Sequence, residues 1–314
     1  MNRLVSVVMP AFNCGKYIQE AILSILAQTY SNFELIIWDD GSTDDTVHQI
    51  EAINDGRIVL YKNLKNQGYP SVMNSLFEKA TGEFVMIQDG DDRSHPNRIN
   101  SLLSVLDQNP EIDLAGSHLT RFYENGKTDS ELSELSANKL NYDFKIYARP
   151  GLTFGTLFMR QSVTKIRFRN LMLITRAQDI DWLFRVSEFH HFKNSDSFLY
   201  EYRQHDKSMS NAYDKESIYN YFFWEYILFV MQFRREKGID LLKPKHEKQL
   251  AHFLNESIKT KKKADSVFWE RHLAYRAKRN GFKLLAIKYA LRAVRNHPFN
   301  RGSYQCVYKV LFQD

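Results

Sequence analysis

Residues 4–13 run Leu4-Val-Ser-Val-Val-Met-Pro-Ala-Phe-Asn13, and this stretch decides the fold class. Leu4 to Met9 is short, β-branched and apolar on both faces, the pattern of a strand buried on both sides in a parallel sheet. Outward from it the chain alternates. Tyr17 to Ala27 places Ile18, Ala21, Ile22, Ile25 and Leu26 at helical spacing. Glu34 to Trp38 is a second strand, Arg57 to Tyr61 a third and Glu83 to Gln88 a fourth. Between them lie two helices. Thr43 to Ile53 is capped by Ser42 or Thr43, with Asp44 and Asp45 at the positive end of its dipole; Pro70 to Ala80 closes near Gly82. Strands alternating with helices predict right-handed βαβ units and an α/β, Rossmann-like fold with a mostly parallel sheet.

After residue 110 the alternation loosens. Ile112 to Ser117 and Phe154 to Met159 have strand character, Asn125 to Asn138 is polar and predicts a surface loop, and Asp179 to Phe189 predicts a helix. Beyond about residue 215 the pattern is helical only. Leu273 to Asn280, Gly281 and Phe282 to Asn296, closed by Pro298, predict a helical hairpin, with Leu273, Ala274, Ala286, Ala293 and Pro298 at tetratricopeptide-like spacings. In its second helix Leu284, Ile287, Leu291 and Val294 form one stripe, expected to bury against the preceding helix around Trp269 and Leu273. The expected division is a catalytic domain over 1–212 and a basic helical region over 213–314.

The composition is that of a folded globular protein: 314 residues, 43% hydrophobic and 25% charged. Cys14 and Cys306 lie at opposite ends of the chain with no metal-ligand spacing, so reduced thiols in a cytosolic setting are expected. Pro10 stops the first apolar run too early for a signal peptide, and the most apolar later stretch, Ile218 to Phe233, contains Asn220, Glu225 and Gln232 and is too short to span a bilayer. The net charge of +6 is unevenly placed: Leu241 to Asp314 holds 17 Lys and Arg against 5 Asp and Glu, a net +12 on a body carrying −6. Such a basic segment predicts a polyanionic neighbour.

In open α/β sheets ligands bind at the carboxyl ends of the strands. Three clusters fall there: Pro10-Ala-Phe-Asn13, Asp39-Asp-Gly-Ser-Thr-Asp44 and Gln88-Asp-Gly-Asp-Asp92. One such cluster makes a turn or a cap. Several converging on one edge repel one another unless a cation or hydrogen-bond donors offset them. Asp89-Gly90-Asp91 puts two carboxylates on a tight turn after a buried strand. That suits a hard divalent cation, Mn²⁺ or Mg²⁺, which takes one or two protein carboxylates plus phosphate oxygens.

Val5 to Asn13, Ser24-Ile-Leu-Ala-Gln-Thr-Tyr30, Asp39 to Asp44, Asn66-Gln-Gly68, Ala80-Thr-Gly-Glu83 and Asp89 to Asp92 with Pro96 occur in that order over the first 100 residues. Together they resemble the family 2 glycosyltransferases, which have the GT-A fold. Arg176-Ala-Gln-Asp-Ile-Asp-Trp-Leu-Phe-Arg185 is similar to the family's Glu-Asp segment, and Tyr202 to Ser210 is similar to its Tyr-Arg-x-His-x-x-Ser-x-Ser stretch. The resemblance implies a non-processive, inverting, metal-dependent transfer of sugar from a nucleotide-sugar donor, of the bacterial surface-polysaccharide type. It makes Asp179 the base that deprotonates the acceptor hydroxyl and Asp91 the main metal ligand, with His205 a second group for metal or diphosphate. Pro10, Ala11 and Phe12 would line the base pocket. Asp40 would accept from the N3–H of uracil, a donor that cytosine lacks. Asp89 would contact ribose or metal, and Phe154, Gly155, Thr156 and Asp181 would stand at the acceptor site. Two positions depart from the family pattern: Gln178 replaces the Glu before the base, and Met73 replaces an Arg before Asn74.

The acceptor implied by the resemblance is a glycan on a lipid diphosphate, which places the protein in the cytoplasm, peripheral at the inner face of the membrane. The basic helices, Lys259 to Lys263 and onward, fit an anionic membrane surface; no motif for nucleic acid accompanies the charge. The aromatic run Tyr219 to Phe233 is core, or the face of a homodimer, or a membrane-facing surface. A processive synthase would need a Gln-x-x-Arg-Trp motif and membrane helices, and a uridylyltransferase a Gly-rich basic loop after the first strand. The remaining alternative is a non-catalytic nucleotide-sugar or glycan-binding scaffold of the same fold.

Overall fold

The structure, a computed structural model, describes residues 3–123, 126–132, 154–175, 177–205, 218–279 and 282–312. It divides into two compact units: Met1–Asn170 with Gln178–Gln204, and Leu171–Ala177 with His205–Asp314.

The first unit is built on a nine-stranded sheet. Its path opens with β3 (Ile58–Lys62), β2 (Phe33–Asp39), β1 (Val5–Ala11) and β4 (Phe84–Ile87), all parallel. It continues through β8 (Phe158–Arg160), β6 (Leu114–Tyr123), β9 (Phe192–Gln204) and β5 (Arg93–Ser94), with β7 (Thr128–Glu131) pairing β6. β4–β8, β8–β6 and β9–β5 are antiparallel, while β6 and β9 are parallel. Helices α1 (Gly15–Leu26), α2 (Thr46–Glu51), α3 (Tyr69–Lys79), α4 (Arg98–Gln108) and α5 (Gln178–Val186) complete it. The core forms as the apolar spacing predicts. Val5, Val7 and Met9 of β1 pack with Ile18, Ala21, Ile22 and Ile25 of α1 and Leu35 and Ile37 of β2. Parallel register then decides where the chemistry lies: Ala11 stands beside Asp39, and Val8 beside Ile87, so the three acidic or polar strand ends share one edge.

Several expectations are corrected. α2 begins at Thr46, not Thr43. Ser42 and Thr43 do not cap it; Ser42 Oγ accepts from Asn13 N–H, and Thr43 N–H donates to Asn13 Oδ1, tying the β1 and β2 loops together. Phe154 to Thr156 is a 3₁₀ turn ahead of the short strand β8. Thr128–Glu131 is a strand inside the expected polar loop; residues 133–138 lie outside the described ones. α4 and β9 had no counterpart in the sequence reading.

The second unit contains α6 (Ile218–Tyr221), α7 (Phe223–Lys237), α8 (Glu247–Ala264), α9 (Phe268–Arg279), α10 (Lys283–Asn296) and α11 (Arg301–Phe312). Tyr221 meets Phe268, Trp269 and His272 edge-on or tilted, so part of the aromatic run is core. The α9–α10 hairpin forms, but α10 is turned so that its alanines lead inward, with Ile287 of the predicted stripe half-buried at the edge of the core. Ala286 and Ala290 pack with Ala274 and Ala277 of α9 and Cys306 and Val310 of α11. Leu284 is 85% exposed and Leu291 55%. Alanine faces let helix axes approach closely, and a face led by leucines holds them apart, so three short helices bury more backbone and methyl surface with alanines inside. Leu284, Ile287 and Leu291 therefore line an open groove of about 510 Å³ together with Lys288, Arg292 and Arg295. Among the described residues no helix is long and apolar enough to cross a membrane. Both cysteines are free and buried.

Candidate active site

At the end of β1, Ala11 is buried while the Phe12 ring is 47% exposed, an aromatic face left open on the functional edge. At the end of β2 the two aspartates differ. Asp40 is spent on its own fold: Oδ1 accepts from Asn63 Nδ2 and Gln67 N, each at 2.8 Å, and Oδ2 from Gly68 N at 2.9 Å. It holds the 63–68 loop against the strand end. Asp39 Oδ2 accepts from Gly41 and Ser42 N–H, but its Oδ1 is buried with no partner among the described residues. Gly41 is required here: its φ is +73°, and a Cβ would lie 2.7 Å from the Lys65 backbone.

Past β4 the chain turns at Gly90, where a Cβ would meet Ile18 Cδ1 at 2.9 Å. The turn carries Asp89, Asp91 and Asp92. Burial, then the charge of Asp91, then that of Asp179, push Asp89 up to about 7, against the opposing pull of the Tyr200 hydroxyl and Arg98. Burial, with Asp91 and Asp89, raises Asp92 as well. Asp92 is fully buried, accepting from Tyr200 Oη at 2.6 Å and from Arg203 N at 2.7 Å.

α5 brings Asp179 to its first turn. Asp179 is half-buried, and desolvation raises its carboxyl above the ordinary range while N–H groups of the helix start oppose the shift. That is the environment of a carboxylate made more basic. Tyr69, which the sequence reading missed, lies among these groups at the start of α3. Burial, then the charges of Asp89, Asp179 and Asp91, push its phenol upward, so carboxylates from two separate segments act on one phenol. Its place after Gly68 and before Pro70 is the only local sign of a special role.

The other candidates are buried. Asp181 has no exposed side chain; Arg169 Nη2 and Nε donate to it at 2.7 and 2.9 Å, and Arg185 Nε at 2.9 Å. Asp181 is thus a buried anion paired with two arginines at the start of α5. Phe154, Gly155 and Thr156 are buried. Phe154 packs on Tyr69, Phe168 and Trp182, forming a wall behind Tyr69. Met73 is fully buried, which suits an apolar side chain, and Asn74 exchanges two hydrogen bonds with the Phe168 backbone. His205 is buried and falls in the second unit. His190 pairs with Asp113. Residues 206–210 and Arg176 lie outside the described ones.

Among the described residues no three His, Cys, Asp or Glu side chains form a ready metal cage. What the turn offers is two hard carboxylates, Asp89 and Asp91, with Asp89 raised first by burial and then by the charge of Asp91. This fits a divalent cation that completes its shell with phosphate oxygens and water.

Comparison with known proteins agrees with this geometry. The family described as glycosyl transferase family 2 matches residues 6–168. The glycosyltransferase EpsE of Bacillus subtilis is 32% identical over 213 residues, 64% of this chain and 73% of that protein. The Escherichia coli β-1,3-glucosyltransferase WfgD, which acts from UDP-Glc on α-D-GlcNAc-diphosphoundecaprenol, is 35% identical over 106 residues, 34% of this chain and 42% of its own. Among solved structures, S. aureus TarS 1–349 with UDP-GlcNAc aligns with a TM-score of 0.59 at 21% identity, over 98% of this chain and 90% of that one. The mannosyltransferase PcManGT of Pyrobaculum calidifontis, with GDP-Man and Mn²⁺, aligns at 0.50 and 16% identity over 97% and 78%. With its GT-A fold and a family match over more than half its length, the chain belongs to glycosyl transferase family 2 and is a glycosyltransferase.

Proposed function

We propose that the protein transfers a sugar from a UDP-sugar, or a related nucleotide-diphosphate sugar, to an acceptor hydroxyl with inversion, and that the acceptor is a lipid-diphosphate-linked glycan in surface polysaccharide assembly. The observation that carries this is the acidic turn Asp89-Gly90-Asp91 on the edge where β1, β2 and β4 end, with Asp179 near enough to act electrostatically on Asp89. Asp91, with Asp89, would hold Mn²⁺ or Mg²⁺. A bound divalent cation neutralises the charge that develops on a diphosphate leaving group. Asp179 takes the proton of the attacking hydroxyl, and its raised basicity favours that transfer. Attack from the face opposite the leaving group inverts the anomeric carbon. Phe12 offers its exposed ring to the base, Pro10 and Ala11 line the pocket with it, and Asp40, which also orders the 63–68 loop, would accept from the N3–H of uracil.

UDP-sugar and lipid diphosphate are favoured by the relatives' own substrates, UDP-GlcNAc bound to TarS and the diphosphoundecaprenol acceptor of WfgD. The division into a catalytic region over 1–212 and a basic helical region over 213–314 belongs to the same reading, as does a cytoplasmic protein peripheral at the inner membrane face. Support for the membrane comes from the open groove of α10. Leu284, Ile287 and Leu291 alternate there with Lys288, Arg292 and Arg295, and no Asp or Glu occurs between Phe282 and Phe312. Exposed leucines within a purely basic field complement an anionic bilayer, which offers both phosphate charge and hydrocarbon. The test is a screen of UDP-sugars with Mn²⁺ and synthetic lipid-diphosphate acceptors, scored by UDP release and by the anomeric configuration of the product. Retention of configuration, or no turnover with any nucleotide-sugar, overturns the reading.

A further inference from the structure

The D-G-D-D turn is gripped from behind by β9, and the grip is more elaborate than a turn needs for its own stability. Tyr200 Oη donates to Asp92 Oδ2 at 2.6 Å, lies 3.2 Å from Asp89 Oδ2 and sits 3.4 Å from the Asp89 backbone N–H. Three residues on, Arg203 N–H donates to the second oxygen of Asp92 at 2.7 Å, and Arg203 Nε donates to the Asp91 carbonyl at 2.8 Å. Both Asp92 oxygens are thus spoken for inside the protein, and Asp92 is closed to any ligand.

The Tyr200 ring is itself fixed. The guanidinium of Arg98 lies over it, 4.7 Å from its centroid. Arg98 is fully buried and donates to the carbonyls of Ile87 at 2.9 Å and Gly155 at 2.7 Å, to Gln88 Oε1 at 3.0 Å and to Ser94 Oγ at 2.9 Å. On the other side Gly155 leaves room for the hydroxyl, since a Cβ there would stand 2.7 Å from Tyr200 Oη. A buried cation, a missing side chain and two hydrogen bonds therefore set one hydroxyl oxygen between the carboxylates that flank Asp91.

We propose that Tyr200 is a positioning residue for cation binding: its hydroxyl, acting through Asp92 and directly on Asp89, holds the turn so that Asp89 and Asp91 face the cation together. This rests on the reading that those two carboxylates bind the metal. Without the hydroxyl, two like charges one residue apart relax away from each other, and the cation must reassemble them. Outer-shell partners of metal ligands typically contribute about 10- to 100-fold to affinity.

The test is Mn²⁺ titration of the full-length protein in the presence of UDP, followed by the EPR signal of free Mn²⁺, on wild type and Tyr200→Phe. Phenylalanine keeps the ring under Arg98 and removes only the hydroxyl. Expected is an increase in the Mn²⁺ dissociation constant of about tenfold or more, with UDP binding in EDTA near wild type and a folded protein by circular dichroism, at a lower melting temperature because Asp92 loses a buried donor. Gly155→Ala, which displaces the same hydroxyl instead of deleting it, should weaken Mn²⁺ binding in the same way, and it carries the test if Tyr200→Phe folds poorly. Mn²⁺ affinity within about twofold of wild type in the folded variant overturns the role of Tyr200. A wild-type protein that binds UDP but no Mn²⁺ instead overturns the metal reading itself, and this inference with it.

Discussion

Replacing Asp181 with Asn distinguishes a structural anion from an acceptor-binding one. The carboxylate is fully buried and accepts three guanidinium hydrogen bonds, from Arg169 at 2.7 and 2.9 Å and from Arg185 at 2.9 Å. Arg169 and Arg185 retain 21% and 15% exposure. Removing one member of a buried ion pair costs about 3 to 5 kcal/mol, since the partners keep their charge without compensation. Water reaches both arginines here, and Asn keeps one acceptor, so the lower end, about 3 kcal/mol, is expected. Urea denaturation followed by circular dichroism and tryptophan fluorescence measures it; Trp182, one residue on, donates its indole N–H to Ile166 O at 2.6 Å and reports on the same helix. The folded variant should retain turnover and acceptor KM within about threefold. A stability change under about 0.5 kcal/mol with acceptor KM raised about tenfold would refute the structural assignment and return Asp181 to the acceptor site.

Asp91→Ala should abolish turnover and Mn²⁺ binding, and EDTA should silence the wild type; full activity in excess chelator contradicts the metal role. The rate should fall as pH drops through the raised titration of Asp179, at a pH above the ordinary carboxylate range, because only the ionised form accepts a proton; the kcat–pH profile of the wild type measures this limb. The same shift has a stability counterpart. A carboxyl raised in the folded state binds protons more readily folded than unfolded, so its ionisation destabilises the fold above the unfolded value and the penalty lifts as pH falls. Asp179→Asn should therefore melt higher than wild type at pH 7, and a lower melting temperature argues against the burial that raises it. For α10, Leu284→Ser with Leu291→Ser should reduce sedimentation with anionic vesicles and leave neutral vesicles unbound. Unchanged sedimentation, or a change in oligomeric state by light scattering instead, assigns the groove to a partner other than lipid.

The N-terminal half was legible because its strands are buried on both faces. Val5 to Met9 and Phe84 to Ile87 have no solvent side, so apolar runs and turn residues mark them without ambiguity. β9 was not: Lys193, Asp196, Glu201 and Arg203 interrupt its apolar pattern, Lys193 bonding Asn109, Glu201 pairing with Arg93 and Arg203 donating to the D-G-D-D turn. The stripe on α10 was misplaced for a simple reason. Ranking faces by side-chain size favours Leu284 and Leu291, yet close helix packing selected Ala286, Ala290 and Ala293. Of the site, the residues within short motifs were visible, namely Asp89, Asp91 and Asp179. Tyr69, Tyr200 and Arg98 were not, since each matters only through partners distant in sequence. Asp181 carries a feature of the same kind: two residues after the candidate base, it has an arginine partner at 169 that no local pattern announces.

The central claim is that Asp179 accepts the acceptor's proton in a sugar transfer. It is tested most directly by nucleoside-diphosphate release from Asp179→Asn against wild type, with Mn²⁺, a donor the wild type turns over and saturating acceptor, alongside calorimetric binding of the nucleotide. Release should fall by about 10²- to 10⁴-fold with nucleotide affinity unchanged. Release within about twofold of wild type would contradict the account and take the base away from Asp179.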